Sequence, residues 1–270
     1  MSLLRSGFMR AVMLAVLAWL LAQAMPALAQ SLLPRAQAVA PGVWALVGPL
    51  SGPSRDNQAL NATYGVIATP EGTILIDSGA SAQGAKLLAD MAQQLTGQPV
   101  RWVVNTGSQH HRWLGNGQLR KAGAQLIAHR RTVQTQRAVA AAQVQELQML
   151  LGDRFAGTEP AQAERVLDGE RSEVVLGGVR IELLDFGDAH FPGDVVAWLP
   201  ARGIAFAGDL VYIDRLLSIA PSSNPRTWLA AFERFVALAP TRVVPGHGSP
   251  TTIAQAQAHT GDYLRAEAGD

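Results

Sequence analysis

The chain has 270 residues, with 22 basic and 21 acidic side chains, no cysteine and a hydrophobic share of 48%. A chain of this length can bury a sizeable apolar core, and the lack of cysteine excludes disulfides, thiolate metal ligands and thiol catalysis. No basic stretch indicates binding to nucleic acid, so we expect no nucleic-acid partner.

The first 29 residues have the pattern of a secretory signal peptide. Arg5 and Arg10 form a basic start, residues 11–25 are apolar, and residues 27–29 form an A-x-A cleavage sequence. The pattern predicts export to a bacterial periplasm and no membrane contact after cleavage. The alternative is an uncleaved anchor, because the apolar run approaches the length of a membrane span. Removing the two arginines would change the formal net charge from +1 to −1.

Residues 30–270 remain after the signal peptide. In their first half we predict a loop at residues 31–41, followed by short strands. Runs of apolar residues bounded by turn residues indicate the strands, and a helical spacing of apolar residues ended by Gly97 indicates a helix. In chain order we predict a strand at 42–48, a hairpin of 61–69 and 73–78, a helix at 81–96, a strand at 100–104, a short helix at 114–122 and a strand at 124–128.

The second half repeats this order of elements. We predict a helix at 130–150, a loop at 152–164, strands at 173–176, 179–184, 195–199 and 204–207, a helix at 225–238, a strand at 242–244 and a C-terminal helix. No repeat or linker divides the chain, so residues 30–270 are predicted to form a single domain. Two sheets with helices outside them, a four-layer αββα sandwich of the mixed α/β (α+β) class, fit this order.

A loop with an unusual set of residues follows the predicted strand at 100–104. It reads Asn105-Thr106-Gly107-Ser108-Gln109-His110-His111-Arg112-Trp113-Leu114-Gly115-Asn116. The segment resembles the signature loop of the metallo-β-lactamase superfamily, whose usual pattern is N-T-H-x-H-x-D-H-x-x-G-N. Aligned on both ends without a gap, the four expected metal ligands fall on Gly107, Gln109, His111 and Arg112. None has the expected residue type, so the first metal motif is degenerate.

The other ligand positions of the superfamily are intact. His190 lies in a loop between predicted strands, Asp209 closely follows the strand at 204–207, and His247 follows the strand at 242–244. The resemblance implies that all three are metal ligands in a metallo-β-lactamase-type sandwich. Asp77 matches a family aspartate that supports the metal loop through hydrogen bonds. It could equally cap the helix that starts near Ser81, and both roles are compatible.

The resemblance leaves three alternatives for the metal. In the first, His111, Asp209 and His247 hold one Zn or Fe ion with open positions, as in catalytic zinc sites with three protein ligands. In the second, the permanent charge of Arg112 pairs with Asp209 and replaces the metal, which leaves an anion-binding pocket lined by histidines. The third alternative, two ions, has few ligands for the first position, where only His190 and a share of Asp209 remain.

We hypothesise that the chain is an exported metallo-hydrolase. Water activated by the metal would attack an ester, thioester or lactam-type carbonyl of a small molecule. Asp209 would orient the water, and His190, if it is not a ligand, would act as general base or acid. Gln109 and Arg112 would contact the substrate. Among exported members, the chain looks similar to the quinoprotein relay system metallohydrolases.

The competing hypothesis is a non-catalytic periplasmic binding or accessory protein that uses the same pocket without metal. Gly107, Gln109 and Arg112 favour it, because together they remove metal ligands and retain a pocket. A shared fold does not by itself establish a shared reaction, so both hypotheses stay open at this point.

Overall fold

A computed structural model describes residues 32–219 and 223–269. The predicted signal peptide and its cleavage site lie outside the described residues. Within the described ranges, no helix combines the length and the apolar character needed to cross a membrane.

The first sheet has seven strands in sequential order. Its first four strands are antiparallel, and the remaining neighbours are parallel. The strands are β1 (Arg35–Ala40), β2 (Val43–Val47), β3 (Thr63–Thr69), β4 (Gly72–Ile76), β5 (Val100–Asn105), β6 (Gln125–His129) and β7 (Arg165–Leu167).

The second sheet has five strands in the order β12-β11-β10-β9-β8. Its neighbours are antiparallel except for the parallel pair β11 and β12. The strands are β8 (Arg171–Leu176), β9 (Val179–Leu184), β10 (Val196–Leu199), β11 (Ile204–Tyr212) and β12 (Arg242–His247).

Seven α-helices connect and cover the two sheets in the described part of the chain. They are α1 (Ala82–Thr96), α2 (His110–Trp113), α3 (Asn116–Lys121), α4 (Arg130–Leu151), α5 (Pro225–Val236), α6 (Ile253–Ala256) and α7 (Asp262–Ala268). Short 3₁₀ segments lie at Gly152–Phe155 and Pro200–Arg202, and a π-helical segment at Gln257–Gly261 joins α6 to α7.

Apolar packing defines the four layers. The inner faces of both sheets form one buried cluster, in which Ile67 and Val104 of the first sheet join Ile181 and Phe206 of the second. The outer face of the first sheet packs against α1, while α5 and α7 pack against the second sheet. This arrangement confirms the predicted αββα sandwich.

The limits of helix α1 follow from its end residues. The Ser81 side chain accepts a hydrogen bond from the Gly84 N–H, and Gly97 adopts the left-handed conformation that ends the helix at φ 74°. The cap of α1 is therefore Ser81, and the capping role considered for Asp77 is wrong.

Several predicted elements and boundaries differ from the structure. The predicted loop at 31–41 contains β1, a strand at the sheet edge with little alternation and a register shift in its pairing with β2. The short strand β7 lies just beyond the predicted loop at 152–164. The predicted helix at 114–122 is present as α3 and is preceded by the unpredicted short helix α2, and β11, in which every residue is buried, continues past Asp209.

Candidate functional site

The predicted site residues lie where strands end. Asp77 follows β4, Arg112 lies in the loop and short helix after β5, and His190 lies between β9 and β10. Asp209 projects from β11 and His247 ends β12. Because β11 and β12 are parallel neighbours, their residues reach the same edge of the second sheet.

Asp77 anchors the loop after β5. One of its carboxylate oxygens accepts a hydrogen bond from the Thr106 N–H at 2.7 Å, and the other accepts one from the Thr106 hydroxyl at 2.7 Å. Asn105 and Asn116 hold the two ends of the same loop together through reciprocal amide hydrogen bonds of 3.2 and 2.8 Å. These contacts fix the backbone that carries His111 and Arg112.

Arg112 is completely buried, with an exposed fraction of 0%. Its Nε and Nη2 donate to the two carboxylate oxygens of Asp209 at 3.1 and 2.5 Å. The remaining N–H groups donate to Asp77 and to the backbone oxygens of Thr63 and Gly246, at distances of 3.1, 3.1 and 2.9 Å. A guanidinium has five N–H donors, so none is left for a substrate. This geometry argues against the predicted substrate-binding role of Arg112.

Asp209 also faces two histidines. His111 Nε2 lies 3.3 Å from Oδ2, and His247 Nε2 lies 3.3 Å from Oδ1. Although burial alone would raise the pKa of Asp209, the Arg112 guanidinium and the histidine contacts together hold it well below its ordinary value. Asp209 is therefore an anion shared by one permanent cation and two imidazoles.

Hydrogen bonding of His247 sets the direction of its lone pair. Its Nδ1 lies 2.8 Å from the Asn61 carbonyl oxygen and 3.1 Å from Arg215 Nη1. One nitrogen cannot donate to Asn61 and accept from Arg215 at once, and we favour the shorter contact with the buried carbonyl. Nδ1 then carries the proton, so Nε2 of the neutral ring presents a lone pair to Asp209.

The His190 ring lies among aromatic side chains, which are those of Phe191, Tyr212 and Trp228. The Ser223 hydroxyl donates to the His190 carbonyl oxygen at 2.7 Å and lies 3.2 Å from its Nδ1. Because that hydroxyl proton is already used, Nδ1 donates to Ser223 and Nε2 keeps its lone pair. The Nε2 atom is buried and has no hydrogen-bond partner among the described residues. Burial lowers the pKa of His190 to about 4, so its ring is neutral.

Asp194 lies beside the degenerate loop. Its Oδ2 accepts a hydrogen bond from the Phe191 N–H at 2.7 Å, and its buried Oδ1 has no partner among the described residues. A Cβ added at Gly107 would lie only 2.6 Å from Oδ1, so the carboxyl fills space that a side chain at position 107 would need. Burial raises the pKa of Asp194 well above its ordinary value.

An Asp194→Asn variant should keep its fold and gain stability relative to the natural chain as the pH rises. The unfolded aspartate loses its proton near about pH 4, whereas the folded group keeps it to a higher pH. The natural protein therefore loses stability as the pH rises from there towards the folded pKa, and asparagine does not. Urea unfolding at about pH 5 and about pH 8 would measure the change. A stability difference that is the same at both pH values would contradict it.

The structure also brings in residues that the motif did not indicate. Gln143 hydrogen-bonds with Trp113 Nε1 and the Ser108 carbonyl, each at 3.0 Å, and Gln136 donates to the Gly107 carbonyl at 3.1 Å. Gln109, predicted to contact substrate, is half-buried, and its side-chain oxygen has no partner among the described residues. In the sequence, only the seven-residue spacing of Gln136 and Gln143 indicated that both lie on one side of the predicted helix at 130–150.

Solved structures of metallo-β-lactamases share the fold of this chain. A metallo-β-lactamase from Pontibacter korlensis superposes with a TM-score of 0.67 at 19% identity, covering 86% of this chain and 99% of that one. The DIM-1 metallo-β-lactamase superposes with a TM-score of 0.66 at 20% identity, covering 87% of this chain and 98% of that one. These similarities concern the fold alone.

One relative is similar over a shorter stretch. The 2,4-dinitroanisole O-demethylase subunit alpha of Nocardioides sp. (strain JS1661) is 29% identical over 85 residues, which are 32% of this chain and 26% of that protein. The matched region thus spans about a quarter of the relative.

The family is established by a longer match. The model of the metallo-β-lactamase superfamily matches residues 58–247, most of the described chain, and includes every site residue from Asp77 to His247. Membership supports a metal-dependent hydrolase or a related function that acts on small molecules. The sheet order, the strand-end site and this match together lead to one conclusion: the chain belongs to the metallo-β-lactamase superfamily.

Proposed function

We propose that the protein is an exported hydrolase with a single divalent metal ion, zinc or iron, held by His111, Asp209 and His247. The observation that carries the proposal is that one ligand atom of each residue lies within 4.8 Å of the other two, in a fully buried group. A catalytic zinc site usually has three protein ligands and one open coordination position.

The hydrogen bonds of His247 support a cation at this position. With its proton on Nδ1, the ring turns an unprotonated Nε2 towards an oxygen of ionised Asp209 at 3.3 Å. Two lone pairs that face each other across this distance repel unless a proton or a cation lies between them. The Asn61 carbonyl also fixes the ring orientation, as partners of ligating histidines commonly do.

Arg112 reduces the negative charge of the site without occupying all of Asp209. Each carboxylate oxygen has two lone pairs and uses one of them for the guanidinium, so each keeps one for a further partner. The fixed cation nevertheless repels a metal ion and weakens Asp209 as a ligand. We therefore expect one ion of moderate affinity.

Two side chains of this site could then serve hydrolysis. The metal ion would supply Lewis acidity that makes water a nucleophile near neutral pH and polarises a carbonyl oxygen. Asp209 would orient the water through an oxygen lone pair. His190 would accept the proton at its unpartnered Nε2 and return it to the leaving group, while Ser223 holds the ring through Nδ1.

The proposed substrate is a small molecule with an ester, thioester or lactam-type carbonyl, and Gln109 is the proposed contact outside the metal cluster. Gln109 supports this role because its side-chain oxygen is buried and unpartnered. Export remains part of the proposal and depends on the signal-peptide pattern of residues 1–29.

A metal-free binding protein is the second candidate. The observation that favours it is the Arg112–Asp209 pair, in which two parallel hydrogen bonds already balance the carboxylate charge. In that case the histidines would line a pocket for a neutral or anionic ligand, and Arg112 would have only a structural role.

Zinc titration separates the two candidates. The natural protein should bind about one Zn²⁺ per chain, and His247→Ala should weaken binding by at least about 100-fold because one of three ligands is lost. The variant His259→Ala is the matched control, since His259 is half-exposed and its ring Nδ1 contacts Asp214, with the carboxylate at 3.8 Å and the backbone N–H at 3.3 Å.

Each outcome of this titration decides between the candidates. Binding of one ion that is lost in His247→Ala, with a chelator-sensitive esterase or lactamase activity, would support the hydrolase. No binding at micromolar Zn²⁺, or the same affinity in His247→Ala, would exclude the proposed metal site and favour the metal-free binder.

A further inference from the structure

Helix α4 buries three polar residues in addition to the apolar Val133, Leu147 and Leu151. Thr132, Gln136 and Gln143 are spaced by four and seven residues, which places them on one side of the helix. Their exposed fractions are 0%, 0% and 6%. Burying polar groups is costly unless they form hydrogen bonds, so the burial of these three side chains needs an explanation beyond packing.

The first turn of α4 holds the loop that carries His190. The Thr132 hydroxyl donates to the Gly193 carbonyl oxygen, and Gly193 approaches the helix backbone so closely that an added Cβ would lie 2.7 Å from Arg131. Arg131 also donates from Nη1 to both oxygens of Asp185, at 3.0 and 2.9 Å. The loop is thus fastened at both ends.

The next turns of α4 hold the loop that carries His111. Gln136 Nε2 donates to the Gly107 carbonyl at 3.1 Å, and Gln143 Nε2 donates to the Ser108 carbonyl at 3.0 Å. Gly107 and Ser108 follow β5 and lead directly into α2. The two glutamines therefore act on the backbone just before His111.

We infer that α4 is a positioning helix that sets the distance between His190 and the cluster of His111, Asp209 and His247. Thr132 positions the His190 loop, whereas Gln136 and Gln143 position the His111 loop. The two loops also contact each other directly, because the Val195 N–H donates to the Thr106 carbonyl oxygen at 2.8 Å, and the helix backbone adds a second frame that is common to both loops. The inference rests on the proposed function only for the use of that distance in a reaction.

The two sets of contacts should be separable by substitution. Loss of a glutamine donor frees the backbone before His111 and should disturb metal binding, as loss of a residue that orients a ligand commonly does. Loss of the Thr132 hydroxyl should leave His111, Asp209 and His247 in place and allow the His190 ring more than one orientation. A role in folding alone would not produce this division.

The experiment uses the full chain and two readouts. One is Zn²⁺ affinity, measured by competition with a chromophoric chelator. The other is the set of imidazole ¹⁵N signals of the metal-free protein at about pH 7.5, which report the tautomer of each histidine. The variants are Gln136→Met, Gln143→Met and Thr132→Val, with Gln134→Met and Gln145→Met at exposed positions of the same helix as matched controls.

We expect Gln136→Met and Gln143→Met to weaken Zn²⁺ binding about tenfold and to shift the His111 signals, with both exposed controls unchanged. Thr132→Val should keep Zn²⁺ affinity within about twofold and change the His190 signals from one tautomer to a mixture, and Thr132→Ser should restore them. Equal effects of all three variants on both readouts, or no effect, would overturn the inference. If the natural protein binds no Zn²⁺, the proposed function fails, and the signals of the metal-free protein still test the positioning helix.

Discussion

Replacing Arg112 by methionine should reduce the free energy of unfolding by about 3–5 kcal/mol, the usual cost of removing one partner from a buried ion pair. The guanidinium is the only permanent cation within hydrogen-bond distance of Asp77 and Asp209 among the described residues. Without it, Asp209 loses both of its guanidinium donors, Asp77 keeps only the two donors of Thr106, and two backbone carbonyls each lose one donor. Denaturant unfolding of the natural and variant proteins would measure the loss.

Two further variants keep this result interpretable. Arg120→Met removes an exposed arginine whose ion pair with Glu164 spans 3.9 Å, and should change stability by less than about 0.5 kcal/mol. Arg112→Lys keeps the charge with three donors in place of five and should give an intermediate loss. A loss below about 1 kcal/mol in Arg112→Met would contradict the view that its charge holds the site together.

The fold and the approximate site could be predicted because their signals are local. Strands show as apolar runs between turn residues, and the ends of neighbouring strands meet at one edge of a sheet. That Asp209 and His247 belong to one site is implied by the resemblance to the metallo-β-lactamase superfamily. A permanent cation at a ligand position needs an anion, so the sequence also offers the pairing of Arg112 with Asp209, which the structure shows.

The rest of the site depends on contacts between distant parts of the chain. The Arg112 guanidinium reaches the Thr63 carbonyl across 49 residues and the Gly246 carbonyl across 134 residues. Backbone oxygens have no sequence signal, so nothing in the loop showed that every donor of Arg112 is used. The substrate-binding role assigned to Arg112 reflects that gap.

The protein should lose stability sharply as the pH falls from about 6.5 towards about 4, because four buried imidazoles would have to take up protons. Burial lowers the pKa of His110 and His190 to about 4, and burial also lowers those of His111 and His247. A folded pKa below the unfolded value means that the unfolded chain binds the proton first, so acid favours unfolding. At pH 5, a histidine shifted from 6.5 to about 4 costs about 2 kcal/mol.

Two carboxyls act in the opposite direction and limit the loss. Burial raises the pKa of Asp77 to about 6 and raises that of Asp194 as well, so both favour the folded state on acidification. The four imidazoles outnumber them, and the net change remains a loss. The contribution of one imidazole can be isolated by His110→Phe, which keeps a ring against His111, where the two ring centres lie 5.1 Å apart.

Urea unfolding of the metal-free protein at about pH 7.5 and about pH 5 would measure this contribution. The fall in unfolding free energy between these values should be smaller by about 2 kcal/mol in His110→Phe than in the natural protein. His259→Gln, which changes a half-exposed histidine, should keep the full fall. An unchanged fall in His110→Phe would mean that the folded protein takes up a proton at His110 as readily as the unfolded chain does. That result would contradict the view that the buried imidazoles are neutral in the folded protein.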